Sequence, residues 1–208
     1  MSGEIRLTRV KKRGGALLCK RIFLDEEGRV QSDGSPCAMS NGTAMRVRLN
    51  GSPATGLSNE ILDLGPHEAL VLGDLADGLP DKIKIEKDEF ADPARGTYGR
   101  TRRTFRHRPG LPAAALLDHD QKAMSGEVRQ RLTDVGGFEG AMATLLPDYG
   151  ALARVVRAST SAGIFNRATD ERFPGNGGLH VYVFVKDGTD IPRFLEVLQK
   201  RAWLAGFG

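Results

Sequence analysis

Two aspartates that stand two residues apart at the end of an apolar run form the pattern best suited to metal chemistry. Residues 113–117 are Ala-Ala-Ala-Leu-Leu, and Asp118 and Asp120 follow with His119 between them. An apolar run entered from a Pro/Gly turn predicts a buried strand over residues 113–118. Alternate residues of a strand share a face, so both carboxylates would project together and His119 would take a structural position opposite them. Close carboxylates repel each other unless a cation binds between them, and Mg²⁺ and Mn²⁺ prefer such oxygen ligands.

A glycine-rich turn precedes a second apolar strand, and this strand carries a histidine. Residues 175–178 are Gly-Asn-Gly-Gly, and the strand predicted over residues 178–186 continues with Leu-His. Gly177 and Gly178 would let the backbone approach a ligand closely and present N–H groups to phosphates. His180 would lie opposite the valines of the strand, where it could donate a hydrogen bond to a phosphate. A hairpin turn with a hydrogen-bonded structural histidine is the alternative interpretation.

A cluster of hydroxyl groups lies between these two patterns. Residues 157–163 are Arg-Ala-Ser-Thr-Ser-Ala-Gly, and they follow a strand predicted over residues 152–156. Arg157, Ser159 and Ser161 would supply positive charge and hydroxyl donors, although such a segment taken alone is typical of a surface loop. The order of the three patterns along the chain is more specific than any one of them.

This order resembles the archaeo-eukaryotic primase superfamily, the primase-polymerases found in replication proteins of phages, plasmids and integrating mobile elements. Residues 115–120, Ala-Leu-Leu-Asp-His-Asp, look like the first motif of the family. Residues 176–183, Asn-Gly-Gly-Leu-His-Val-Tyr-Val, look like the second motif, and residues 157–163 are similar to the Ser-rich stretch that precedes it. The resemblance covers residues 113–208 and reaches the N-terminal region only in the order of its elements.

The resemblance implies a DNA-templated nucleotidyltransferase that acts in DNA replication. Its catalytic core would be α/β (α+β), with a mixed or antiparallel RNA-recognition-motif-like sheet and helices on one face. This sheet would carry the acidic pair and His180 on neighbouring strands. The catalytic residues would be Asp118 and Asp120, which would hold two Mg²⁺ or Mn²⁺ ions. The residues that would bind the nucleoside triphosphate are His180, Ser159, Ser161, Arg157, Gly177 and Gly178.

The chain departs from the family pattern in two places. Many members carry Ser two residues before the histidine of the second motif, and this chain has Gly178 there. We therefore expect Ser159 or Ser161 to supply the hydroxyl. The third motif of the family is a carboxylate on a strand after the following helix, and we expect it beyond Gly208. A helicase domain or helicase partner is a further expectation from the family.

Positive charge is concentrated in one segment. The chain carries 30 Lys and Arg against 26 Asp and Glu, a formal net charge of +4, but residues 93–117 contain no acidic residue. Arginines interleaved with aromatic side chains suit a polyanion, because guanidinium groups bind phosphates and rings stack on bases. The single-stranded DNA template is therefore predicted to contact Arg100, Arg102, Arg103, Arg106 and Arg108. A solvated basic loop is the alternative.

The elements predicted from the sequence divide into two regions. Residues 1–92 form a β-rich flanking region with a hairpin turn at residues 25–28, a loop over residues 50–58 and a short helix over residues 60–64. Residues 93–208 form the catalytic region. Its helices are predicted over residues 125–132, 138–146 and 191–202, the last capped by Thr189 or Asp190 with Pro192 in its first turn.

Several function classes are disfavoured by composition. No apolar run of about 18 residues would span a membrane. The charged N-terminus lacks a signal-peptide pattern, which predicts a cytoplasmic protein with Cys19 and Cys37 as free thiols.

Three alternatives to a primase stay open. The first is a catalytically incomplete module that binds single-stranded nucleic acid through its arginines and is indifferent to Asp118. The second is a metal phosphohydrolase, suggested by the pair His119 and Asp120. Such sites need further histidines, and the chain has four in total. The third is a purely structural protein.

Overall fold

The computed structural model describes residues 3–14, 17–121, 124–160, 162–173 and 178–208. Contacts within the chain divide it into two compact units. The first unit is Met1–Ala114 with Lys186–Gly188, and the second is Ala115–Val185 with Thr189–Gly208. Across the described residues the protein is mixed α/β, with antiparallel and mixed sheets plus helices.

The first unit is rich in strands. Its elements are β1 (Arg6–Lys12), β2 (Arg21–Leu24), β3 (Val30–Asp33), β4 (Asn41–Arg48), α1 (Pro53–Leu62), β5 (Glu68–Val71), β6 (Asp74–Leu75), β7 (Lys82–Glu86), β8 (Thr97–Gly99) and β9 (Phe105–Arg106). Short 3₁₀ turns occupy Ser35–Cys37, Asp88–Phe90 and Pro93–Arg95. The predicted hairpin at residues 25–28 is confirmed, because β2 and β3 pair antiparallel across it.

A five-stranded mixed sheet organises this unit. Its strand order is β5-β1-β4-β7-β8, with antiparallel pairing except between β7 and β8, which run parallel. Strand β7 alternates strictly: Ile83 and Ile85 are buried, whereas Lys82 and Lys84 are exposed. The isoleucines join the core cluster on one face of the sheet with Val10, Met39, Ala44 and Leu75. The period of two along β7 therefore assigns its lysines to the opposite face.

Helix α1 begins earlier than the sequence analysis predicts. The loop predicted over residues 50–58 is wrong for its second half, since the helix starts at Pro53. The Ser52 side chain accepts a hydrogen bond from the Thr55 backbone N–H at 3.3 Å, and proline occupies the first turn. Both are ordinary start signals of a helix, and the Ser-Pro pair could have located this one.

The second unit combines three strands with three helices. Its elements are β10 (Ala113–His119), whose first two residues belong to the first unit, α2 (Gly126–Asp134), α3 (Gly137–Leu145), β11 (Arg154–Ala158), β12 (Leu179–Val185) and α4 (Ile191–Leu204). Short 3₁₀ turns occupy Tyr149–Ala151 and Gly188–Asp190. The strand order is β10-β12-β11, and β11 pairs antiparallel with β12.

One face of this three-stranded sheet meets the helices. Val181 and Val183 of β12 are buried, as are Leu132 of α2, Met142 of α3 and Leu198 of α4. On β11, Arg154 shares the face of Val183 by register, and its guanidinium lies 2.8 Å from the Glu139 carboxylate of α3. Residues at the alternate positions of these strands therefore lie on the face of the sheet opposite the helices.

The strands and helices predicted for this region are confirmed to within two residues at most ends. At the start of α4, Asp190 occupies the N-cap position, and its carboxylate accepts a hydrogen bond from Arg193 at 2.6 Å.

The two compact units divide at a different residue from the two regions predicted from the sequence, whose boundary lies between residues 92 and 93. In the structure the division falls after Ala114, because β8 pairs with β7 and β9 pairs with β6. These pairings make residues 97–106 part of the first unit. Among the described residues, no helix combines the length and the apolarity needed to cross a membrane.

Candidate functional site

The side chains of the two predicted motifs meet on the second unit's sheet. Asp118 Oδ1 of β10 lies 3.5 Å from His180 Nε2 of β12, which is the neighbouring strand. The side chain of Asp118 is 62% exposed and that of His180 is 24% exposed, so solvent reaches the pair. Asp118 and His180 therefore form one cluster, although they are far apart in the chain.

Strand β11 adds a positive charge to the same face. Arg157 pairs directly with His180 in the antiparallel register of β11 and β12, and directly opposed residues share a face. Two residues further along β12, Tyr182 lies on that face as well and accepts a side-chain hydrogen bond from Arg157. The open face thus carries a carboxylate, an imidazole, a guanidinium and a phenol.

The pKa of Tyr182 is affected by these neighbours. Burial is the main cause that raises the pKa of its phenol, and the negative charge of Asp118 raises it further. The positive charge and hydrogen bond of Arg157 act in the opposite direction. The tyrosine therefore stays a neutral hydrogen-bond partner for the guanidinium at physiological pH.

The hydroxyl segment joins the site at the end of the β11–β12 ladder. The backbone N–H of Ser159 donates to the carbonyl oxygen of Gly178 at 2.9 Å, which extends the pairing past the last ladder pair. Ser159 and Gly178 therefore lie beside each other, two residues from Arg157 and His180 respectively. Ser161 and Gly177, which the sequence analysis also assigns to the nucleotide, lie outside the described residues.

His119 occupies the opposite side of β10, as predicted from strand alternation. It is 6% exposed, and its ring centroid lies 4.8 Å from that of Phe138 in α3. Its Nε2 is 3.2 Å from the Gln121 side-chain amide. Burial lowers the pKa of His119, an effect partly offset by the negative charges of Asp120 and Asp118. The residue is a packed, hydrogen-bonded element of the core.

Asp120 follows the end of β10, one residue beyond His119. Its side chain is exposed. In the described part of the chain, no group of three or more His, Cys, Asp or Glu side chains is gathered in a way that could hold a metal ion. Asp118 and Asp120 offer exposed oxygen donors, and Mg²⁺ commonly binds through one or two carboxylates while keeping several waters. Their chemistry fits such an ion.

The arginine segment lies in the first unit and is partly neutralised. Arg103 binds the Asp88 carboxylate at 2.9 Å and Arg106 binds Asp77 at 3.0 Å. Arg108 lies 2.8 Å from the buried carboxylate of Asp74. The acidic partners lie in β6, in the segment after it and in the 3₁₀ turn that follows β7, so a segment without its own acidic residues acquires them through folding.

Arg100 and Arg102 differ from the other predicted template residues. Both are exposed, and neither makes an ion pair within the described ranges. Of the five arginines assigned to nucleic acid, these two therefore present free charge to solvent. To bind nucleic acid, each of the remaining three arginines would have to release its aspartate partner and bind a phosphate group instead.

Tyr182 is the site residue that the sequence analysis missed. The signal was present, because the residue two positions after His180 in a strand shares its face. Three comparisons, with family models, with curated proteins and with solved structures, give no match for this chain. The Asp118–His180 face and the motif resemblance are therefore the two observations that bear on function.

Proposed function

We propose that the second unit is the nucleotide-binding, metal-dependent core of a primase-polymerase that catalyses DNA-templated nucleotidyl transfer. The observation that carries this proposal is the 3.5 Å approach of His180 to Asp118 on a sheet face that also bears Arg157. A strand order of β10-β12-β11 with helices against one face is compatible with an RNA-recognition-motif-like core. On the opposite face, the side chains of Asp118 and His180 are both reached by solvent.

The residues of this face have separate roles in the proposal. Asp118 and Asp120 would hold the Mg²⁺ or Mn²⁺. The bound cation supplies charge that makes a 3′-hydroxyl more acidic and neutralises a leaving pyrophosphate. The His180 imidazole N–H would donate to a phosphate oxygen, and Arg157 would neutralise triphosphate charge. Tyr182 would hold the guanidinium of Arg157 in place through its hydrogen bond.

Backbone groups complete the proposed triphosphate site. The backbone at Gly178 and the neighbouring Ser159 lie close to His180 and would contact the phosphates. Arg100 and Arg102 would contact the single-stranded DNA template, since their charges are unpaired among the described residues. A nucleic-acid-binding module without catalysis is the competing function, and it shares these arginines but has no need of Asp118.

Template-directed incorporation of a labelled nucleotide in the presence of Mn²⁺ tests the proposal. Asp118→Ala and Asp120→Ala should each abolish product while leaving the thermal unfolding midpoint nearly unchanged, because both side chains are exposed. Asp148→Ala, which removes an exposed carboxylate elsewhere in the same unit, should keep full activity. Undiminished synthesis by the Asp118 or Asp120 variant would contradict the metal assignment.

A further inference from the structure

A row of basic side chains crosses the sheet of the first unit on its face away from the core cluster. Lys11 of β1 pairs with Thr43 of β4, and Thr43 pairs with Lys84 of β7. Directly opposed residues of neighbouring strands share a face, so these three form one row. Lys82 lies on the same face two residues before Lys84. We call Lys11, Thr43, Lys82 and Lys84 the lysine face.

Two of the three lysines of the lysine face have no ion-pair partner among the described residues. Lys82 and Lys84 are exposed and make no ion pair with any residue that the structure describes. Lys11 is 62% exposed, and its Nζ is 3.9 Å from a Glu68 carboxylate oxygen. On the same face, Arg9 is bound by Glu60 at 2.7 Å, so its charge is not available. Lys82 and Lys84 therefore present unpaired positive charge to solvent, whereas Lys11 shares Glu68 with Arg9. Glu86, two residues after Lys84 on β7, is a carboxylate on the same face.

A hollow with polar walls opens at one end of this face. Its volume is about 330 Å³. Its border includes Lys11, Arg13, Asn41, Thr43 and Lys84, with Glu86 also on its edge. Arginine, lysine, threonine and asparagine side chains are common donors to phosphate oxygens. With Lys12, four cationic residues border the hollow, together with an amide and a hydroxyl, against one carboxylate.

We propose that the lysine face and its hollow bind the sugar–phosphate backbone of single-stranded nucleic acid. Neighbouring β-strands lie about 4.8 Å apart, so the two strands that carry Lys11 and Lys84 lie about 10 Å apart, with β4 between them. A path of this width suits a single strand of nucleic acid better than a duplex. Lys82 and Lys84 are spaced by about 7 Å along β7, which sets two cations along that path.

The amino-acid composition of the lysine face also indicates how a single strand of nucleic acid would be bound. Aromatic side chains are absent from the paired rows that contain Lys82 and Lys84, so base stacking would contribute little and binding would be independent of sequence. Met45 is the exposed apolar residue opposite Lys82, too little apolar surface for insertion into a lipid bilayer. This site uses none of the residues of the proposed nucleotide site and stands without it.

Fluorescence anisotropy with a labelled oligothymidylate, titrated at several salt concentrations, tests the proposal on the whole chain. The Lys82→Gln/Lys84→Gln variant should bind several-fold more weakly. The slope of log affinity against log salt should become shallower by about 1.4, since each lost phosphate contact on a single strand contributes about 0.7. Lys11→Gln should reduce the slope by about half as much. Lys20→Gln, an exposed lysine outside the face, is the matched control and should change neither quantity.

Each remaining outcome has a defined meaning. An unchanged slope in the double variant, with loss of binding in Arg100→Gln/Arg102→Gln, would overturn the proposal in favour of the arginine segment. Binding to anionic phospholipid vesicles but not to oligothymidylate or oligouridylate would overturn it in favour of a membrane surface. The double variant should retain Mn²⁺-dependent nucleotide binding, so failure of either proposal is seen separately. Thermal unfolding at the wild-type midpoint would establish that the exposed substitutions leave the fold intact.

Discussion

Nε2 of His180 and Oδ1 of Asp118 lie 3.5 Å apart on adjacent strands, although the two residues belong to motifs far apart in the chain. A cation held by Asp118 would therefore lie within a few ångströms of the imidazole ring. This closeness makes the histidine a reporter for metal binding, independent of any catalytic assay.

Paramagnetic Mn²⁺ should broaden the ring-proton NMR signals of His180. The physical reason is that a paramagnetic ion relaxes protons strongly at short range, and the ring borders the proposed ligand. His180→Gln identifies the signal by removing it. Diamagnetic Mg²⁺ should shift the same signal without broadening.

The matched control for this experiment is the Asp118→Ala variant. In it, the His180 signal should stay sharp at the same Mn²⁺ concentration. Equal broadening in the wild type and the variant would show that the ion binds elsewhere, and the assignment of Asp118 as a ligand would fail.

The placement of the site could be predicted from sequence because it depends on the alternation of strand residues. Asp118 and His119 fall on opposite faces of β10, and His180 falls opposite the buried Val181. The adjacency of β10 and β12, by contrast, is a long-range pairing that local pattern cannot specify. The adjacency of β10 and β12 is an expectation only because the motif resemblance implies it.

Other features could not be predicted because they arise from residues distant in sequence. Asp88 and Asp77, the acidic partners of Arg103 and Arg106, lie in segments whose sequence does not indicate which arginines they bind. The helical pattern of the sequence locates the start of α1 too late, because Thr55 and Gly56 have low helix propensity, whereas the structure begins the helix at Pro53 with Ser52 as its N-cap.

Gly140 of α3 lies against the turn between α2 and α3. A Cβ atom at Gly140 would overlap the carbonyl oxygen of Val135, which is backbone and cannot rotate away. Gly140→Ala should therefore lower the free energy of unfolding by about 1–3 kcal/mol. Urea denaturation followed by circular dichroism measures this change.

Gly126, the first residue of α2, offers the matched control. An added Cβ there meets no atom within 4 Å. Gly126→Ala should be neutral or stabilise by up to about 1 kcal/mol, because alanine restricts the unfolded chain. Equal stability of the two variants would show that the α2–α3 turn is not as tightly packed as described.

Tyr149 should titrate at unusually high pH. It is 1% exposed, its hydroxyl donates to Glu139 at 3.1 Å, and burial followed by the Glu139 charge raises its pKa to about 12 from 10.0. A phenol whose folded pKa is raised contributes stability below its unfolded pKa. That contribution is lost as the pH rises from 10 towards 12.

Ultraviolet absorbance during an alkaline titration checks this expectation. One of the three tyrosines should ionise last, near pH 12, and that step should vanish in Tyr149→Phe. The loss of stability above pH 10 should be shallower in this variant than in the wild type. Ionisation of all three tyrosines near pH 10 would contradict the buried placement of Tyr149.

The most direct measurement of the central claim is calorimetric binding of a nucleoside triphosphate in the presence and absence of Mn²⁺. The wild-type chain should bind the nucleotide only with the metal, and the Asp118→Ala/Asp120→Ala variant should lose that binding. Arg157→Gln should weaken it, while Asp148→Ala should leave it unchanged. Metal-independent binding, or equal binding by the wild type and the double aspartate variant, would contradict a nucleotide site built on Asp118 and His180.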